Sequence, residues 1–182
     1  MNVIRTEIEG VLVIEPQVFG DERGYFFESF NAEQFLAQTG IEVTFVQDNE
    51  SRSKRGVLRG LHFQREPYAQ AKLVRVVQGR MLDVAVDIRP ESPTFGRYVA
   101  VELSGKNKRQ LFIPKGFAHG YVVLEDDTVF QYKCDEFYHP ESEDGISWND
   151  PQIAVEWGFP ENEVILSEKD RNRPNLSELC EF

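Results

Sequence analysis

A chain of 182 residues with 41% apolar side chains, including 14 Phe, 6 Tyr and 2 Trp, can bury a sizeable core within one domain. Its net charge of −11 and pI near 4.8 argue against nonspecific binding to nucleic acid or to an anionic membrane, since both need a basic surface. The two cysteines, Cys134 and Cys180, form neither a metal-ligand spacing nor a disulfide framework. No apolar run is long enough for a secretory leader or a membrane span, so free thiols in a reducing cytoplasm are expected.

Thr6 to Ile14 reads as a first extended segment, ended by Pro16. Phe19-Gly20-Asp21-Glu22-Arg23-Gly24 is turn chemistry ahead of an aromatic strand, Tyr25 to Phe30, with Arg23 and Glu28 as flanking charges. One early helix is predicted over Ala32 to Thr39: Asn31 can cap it, Gln34 stands at the capping-box position, Phe30 and Phe35 can staple its start, and Gly40 closes it. Val43 to Val46 returns to strand. Gln47-Asp48-Asn49 then supplies amide and carboxylate groups ahead of a basic loop, Ser51 to Gly56.

From Val57 the pattern is β at short intervals: Leu58–Gln64, Lys72–Val77, Met81–Ile88, Tyr98–Leu103, Gln110–Ile113, Tyr121–Leu124 and Thr128–Lys133, separated by Gly, Pro and Asp/Asn turns. In Met81–Ile88 the residues Leu82, Val84, Val86 and Ile88 alternate with Asp83, Ala85 and Asp87, a period of two. Short strands without long helices between them predict an all-β sandwich or barrel. The segment from Trp148 to Phe182 is polar and Pro-broken, with a short helix predicted near Ser167 to Asp170.

The chemistry centres on Arg59-Gly60-Leu61-His62-Phe63-Gln64, which sets an imidazole and a guanidinium inside a strand pattern. In a straight strand Arg59 and His62 point to opposite faces, so a shared pocket requires a bend or bulge at Gly60. Residues 51 to 80 hold eight Lys or Arg against one acid, Glu66, a local excess of +7 that suits a small anionic ligand. A second histidine, His119, follows the Pro- and Gly-punctuated turn Ile113 to Gly120; the third, His139, is expected on the surface. Pro114-x-Gly116-x-x-His119 resembles the second half of the cupin signature, but Gln64 stands where the His-x-His half-site would need an imidazole, and two imidazoles do not make a tight metal site. The remaining set suits proton abstraction beside a carbonyl: His62 and His119 as bases, Lys72 for enolate charge, Tyr132 as a weak acid made more acidic by Lys72, and Asp83 and Asp170 as imidazole orienters.

Taken together, Arg59-Gly-Leu-His62-Phe-Gln, Lys72, Asp83-Val-Ala-Val-Asp-Ile-Arg, Ile-Pro-Lys-Gly-Phe-Ala-His119-Gly, Tyr132-Lys-Cys, Gly145-Ile-x-Trp-Asn-Asp-Pro and Leu166-Ser-Glu-Lys169-Asp170 resemble the dTDP-4-dehydrorhamnose 3,5-epimerase family over nearly the whole chain. That resemblance implies a single domain over residues 1–182, an all-β cupin-type jelly roll with a few short peripheral helices, an N-terminal strand extension and an irregular C-terminal segment. It also implies a cytoplasmic, cofactor-free and metal-free homodimer acting on a dTDP-4-keto-6-deoxy sugar. Carried over position by position, His62 is the base oriented by Asp170, Tyr132 the proton donor, and Lys72 the enolate stabiliser. Arg23, Glu28, Gln47, Asp48, Asn49, Arg59, Lys72, His119, Glu143 and Lys169 bind substrate, Tyr138 stacks on the thymine, and Arg23 comes from the partner copy. Alternatives are a mono-epimerase at C3 or C5, a metal-dependent cupin isomerase or oxygenase, and a non-catalytic sugar-nucleotide binding module.

Overall fold

The computed structural model describes residues 1–179; Cys180 lies outside them. The strands are β1 (Asn2–Arg5), β2 (Leu12–Glu15), β3 (Phe19–Asp21), β4 (Gly24–Phe26), β5 (Gln47–Ser53), β6 (Leu58–Gln64), β7 (Lys72–Gln78), β8 (Arg80–Asp87), β9 (Tyr98–Ser104), β10 (Gln110–Ile113), β11 (Phe117–Val123), β12 (Thr128–Cys134) and β13 (Glu143–Gly145), with helices α1 (Ala32–Thr39) and α2 (Glu168–Arg171). One sheet runs β1-β2-β10-β7-β12-β5, the other β13-β6-β11-β8-β9, and β3-β4 stands apart as a hairpin. This is the expected jelly roll with peripheral helices.

Helix α1 forms where its caps predict. Asn31 accepts the Gln34 backbone N–H at 3.0 Å, Gly40 adopts φ +75° beyond the last turn, and the Phe30 and Phe35 rings lie 5.9 Å apart. The capping box is only half made, because the Gln34 amide turns to Glu28 instead. Phe35 packs with Leu12, Ile14, Leu73 and Phe112, and so covers the outer face of the six-stranded sheet.

Three expected strands move. Thr6–Ile14 is broken at Gly10 (φ +96°): residues 6–11 turn from β1 into β2, and only the Leu12–Ile14 part is strand. The aromatic strand is only Gly24–Phe26. Val43–Val46 is not a strand; Val43 and Phe45 cover the sheet beneath α1, and the strand is β5, the stretch read as amide-rich connector and basic loop. Strand β5 carries polar residues on both faces, so it has no hydrophobic alternation to detect. The turn before His119 is also shorter than expected, since β11 begins at Phe117 just after Gly116 (φ +81°).

The two sheets enclose a core of Val74, Val76, Met81, Ala85, Leu103, Leu111, Tyr121 and Phe130. The even-numbered residues of β8 do not face this core. Val84, Val86 and Ile88 point outward and are covered by Ile146, Ile153, Trp157 and Leu176 of the C-terminal segment, while the intervening acids Asp83 and Asp87 are turned away from that cover with no solvent exposure. The alternation in β8 is therefore genuine, but its polar side is the interior of the barrel.

Candidate active site

Leu58, Leu61 and Phe63 of β6 belong to the outer cluster under the C-terminal segment. Two outward residues three apart mean that one extra residue is accommodated between them. The pairing with β11 shows it: Arg59 lies opposite Tyr121 and His62 opposite His119, with a register shift between. Gly60 takes φ +131°, and the Gly60–Leu61 peptide is cis. A Cβ at Gly60 would sit 2.5 Å from the Gly120 Cα, so the bulge needs glycine on β6. It places Arg59 and His62 on one face, and Arg59 lies close enough to Tyr121 and Tyr132 for its charge to favour both phenolates.

His62 opens into a cleft of about 320 Å³, lined also by Gln47, Asn49, Lys72, Tyr132, Cys134, Tyr138 and Glu143. His62 Nε2 lies 2.5 Å from Asp170 Oδ1, leaving Nδ1 as the nitrogen free to take a proton. Burial raises the Asp170 pKa, but hydrogen bonds from His62 and Ser167 outweigh it and hold the carboxylate below its ordinary range. His119 is buried inside the barrel, its Nε2 3.0 Å from both Asp83 oxygens. Burial pushes Asp83 upward against the pull of His119 and Lys72.

Tyr132 reaches the cleft from β12 on the opposite sheet. Burial pushes its phenol up to about 12, which corrects the expectation that Lys72 acidifies it: desolvation wins, and the phenol is neutral and fully protonated near pH 7. Lys72 makes no ion pair among the described residues. Burial lowers its pKa, while Cys134, Asp83 and Glu143 favour the charged form. The Cys134 thiol is pushed up to about 11, first by burial.

At the mouth, Glu143 gathers three donors: the Tyr138 hydroxyl, Lys169 Nζ at 2.7 Å and Arg173 Nη2 at 3.1 Å. Tyr138 is half-exposed, and its hydrogen bond to Glu143 raises its pKa. Arg59, His119 and Lys169 are not among the residues that line the cleft, and three more predicted binders are engaged elsewhere. Asp48 points to the opposite face of β5 from Gln47 and Asn49 and pairs with Lys133 at 2.9 Å, so it does not line this cleft; strand alternation excludes it. Arg23 is at the tip of the β3–β4 hairpin, 85% exposed and paired with Asp21. Glu28 binds Asn31 and Gln34 beside α1. His139 is half-buried rather than superficial, its ring stacked 3.7 Å from that of Tyr68.

Sequence reasoning missed Ser167, which caps α2 and donates to Asp170 at 2.7 Å; the Ser-x-x-Asp spacing ahead of a predicted helix was its signal. It also missed what Gln64 does. The amide donates to the Tyr68 and Phe137 carbonyls and accepts the His139 N–H, tying together the loops at the mouth. Arg173, buried behind Glu143 and Asp144, gave no sequence signal.

An imidazole on one sheet, paired with a carboxylate from α2 and facing a neutral phenol on the other sheet, with a desolvated lysine on β7, defines a cupin-type jelly-roll enzyme that moves protons at a carbon acid. The family model described as dTDP-4-dehydrorhamnose 3,5-epimerase matches residues 5–178. The chain is 60% identical over 179 residues to the dTDP-4-dehydrorhamnose 3,5-epimerase of Escherichia coli (strain K12), covering 98% of this chain and 96% of that protein. Its fold superposes with a TM-score of 0.94 on the dTDP-4-dehydrorhamnose 3,5-epimerase from Elizabethkingia anophelis NUHP1, at 50% identity and with 98% and 97% of the two chains covered. The score is also 0.94 for the dTDP-6-deoxy-D-glucose-3,5-epimerase from Legionella pneumophila Philadelphia 1 in complex with dTDP-4-keto-L-rhamnose, at 53% identity and 98% and 94% coverage. The chain belongs to the dTDP-4-dehydrorhamnose 3,5-epimerase family. It is an isomerase of dTDP-rhamnose biosynthesis, and these relatives support the double epimerase over the other expected alternatives.

Proposed function

We propose that the His62 cleft converts dTDP-4-dehydro-6-deoxy-D-glucose to dTDP-4-dehydro-L-rhamnose by inverting C3 and C5 beside the C4 carbonyl. The observation that carries this reading is the His62–Asp170 pair facing the protonated Tyr132 across the barrel. His62 Nδ1 takes the proton from carbon, becoming an imidazolium held by Asp170, and the electron pair moves onto the C4 oxygen as an enolate. Lys72, short of an anion in the free enzyme, stabilises that oxygen. Tyr132 then gives its proton to the other face of the carbon as the C4 carbonyl re-forms; His62 releases its proton to solvent, the Tyr132 phenolate takes one back, and the sequence repeats at the second centre. Arg59 and Lys169 meet the diphosphate, Gln47, Asn49, His119 and Glu143 hold the rest of the substrate, and Tyr138 stacks on the thymine.

The reading includes a homodimer. Arg23 is carried away from its own cleft on a hairpin whose Phe19, Tyr25 and Phe26 are more than half exposed, and an exposed aromatic patch of this kind suits a second copy of the chain. Arg23 and Glu28 would then serve the neighbouring site. A cytoplasmic location fits the unpaired Cys134 thiol; no helix among the described residues is long and apolar enough to cross a membrane.

Deuterium wash-in from D₂O separates the two proton-transfer roles. His62→Asn should abolish exchange at both carbons, a loss of at least about 10²-fold for a general base. Tyr132→Phe should still exchange with retained configuration while forming little inverted product. Inversion of both centres by Tyr132→Phe at near wild-type rate would assign the donor to another group.

A further inference from the structure

The two oxygens of the Asp170 carboxylate, a residue only 3% exposed, have separate donors: Oδ1 faces His62 Nε2 at 2.5 Å, and Oδ2 accepts the Ser167 hydroxyl at 2.7 Å. The Ser167 oxygen also accepts the Asp170 backbone N–H at 3.1 Å, so one hydroxyl fixes both the main chain and the side chain of the residue that orients the base. Helix α2 is a single turn of four residues, and its contact with β6 joins positions 108 residues apart. A carboxylate on so short an element would be free to rotate about its side-chain torsions unless something held its outer oxygen.

We propose that Ser167 is a positioning residue of the epimerisation: by holding Oδ2 it aims Oδ1 at His62 Nε2 and keeps the carboxylate as the anion that the His62 imidazolium needs. This rests on the reading of His62 as the base. An imidazolium forms during each proton abstraction, and its stabilisation depends on a carboxylate in line with the N–H. The Ser167 bond is made before and during the reaction, so its loss lowers the rate of proton removal and leaves substrate affinity alone.

Steady-state kinetics and wash-in on a series of variants test it. Ser167→Ala should lose about tenfold in kcat, the scale of one hydrogen bond to a charged group, with KM unchanged and exchange slowed equally at both carbons. Ser167→Thr keeps the hydroxyl and should restore the rate. Ser167→Asp keeps a cap acceptor but has no hydrogen to give, so it should also be slow; it serves as the test should the alanine variant not fold. In an Asp170→Asn background, Ser167→Ala should cause no further loss, because a residue acting through Asp170 has nothing left to position. Unchanged kcat in Ser167→Ala, a rise in KM in place of the fall in kcat, or the same fold-loss in the Asp170→Asn background each overturns the proposal. His62→Asn run beside them tells the two readings apart. If it still exchanges, the base assignment falls and this proposal with it. If it is inactive while Ser167→Ala runs at the wild-type rate, only the role of Ser167 falls.

Discussion

Gly60→Ala should damage the enzyme twice, once in stability and once in rate. At φ +131° an L side chain sits in a region that costs about 1–3 kcal/mol per residue. The new Cβ would lie 2.5 Å from the Gly120 Cα and 2.9 Å from the His119 carbonyl oxygen, where non-bonded carbons want about 3.5–4.0 Å. Both obstacles are backbone, so β6 and β11 must part by roughly 1 Å, an overpacking worth about 1–3 kcal/mol. Together these give a loss of about 2–6 kcal/mol, measurable as a shift in the urea midpoint. The strain falls between the Arg59–Tyr121 and His62–His119 pairs, so the surviving folded enzyme should have His62 displaced from Asp170, and a 1 Å misplacement can cost about 10²-fold in rate. Gly158→Ala is the control: φ is +60° but nothing lies within 4 Å of its Cβ, so it should cost only about 1–2 kcal/mol and leave activity intact. If Gly60→Ala unfolds within about 0.5 kcal/mol of wild type and exchanges deuterium normally, the bulge does not depend on glycine and the account of how Arg59 and His62 share a face is wrong.

Arg23→Ala should weaken substrate binding by about 1.5–3 kcal/mol, the scale of a charge-assisted contact to phosphate, and light scattering on the wild type should give a dimer; a monomer with unchanged affinity in the variant defeats the exchanged-hairpin reading. Activity should survive exhaustive chelation, since among the described residues no three His, Cys, Asp or Glu side chains gather as metal ligands; loss that Fe, Mn or Zn reverses would contradict this. Asp87, without solvent exposure, is raised by burial but lowered further by hydrogen bonds from Arg89, Ser92 and Thr94, from 3.8 to about 2. Because its folded pKa is depressed, its contribution of about 2 kcal/mol is present above pH ~4 and lost as pH falls through about 2. Asp87→Asn should therefore be less stable at neutral pH by that amount, with a flatter decline in acid; an unchanged acid limb in urea titrations would remove Asp87 from the account.

Much of this protein was legible without coordinates because its signals are local. Asn31 and Gly40 announce α1 through the backbone groups that a helix end leaves unpaired, and Leu58–Gln64 and Gln110–Ile113 match their strands because apolar content and turn residues bound them. The motifs around His62, Tyr132 and Asp170 pointed to the family. Tertiary structure decided whatever depends on which side of a strand faces what. Strand β5 was invisible because Gln47, Asn49 and Ser51 face a polar interior, and Asp48 was grouped with them although the pleat sends it outward. The apolar side of β8 was readable, but only the C-terminal segment folding over Val84 and Val86 shows that this side is the outside and that Asp83 lies within the barrel. The pairing of His62 with Asp170 across 108 residues and the bulge against β11 that aligns Arg59 with His62 are contacts between distant segments, whereas the Ser167 cap on Asp170 is local, three residues apart. Periodicity reports where a side chain points relative to its neighbours in the chain; which element it meets there is settled only when the sheets close on each other.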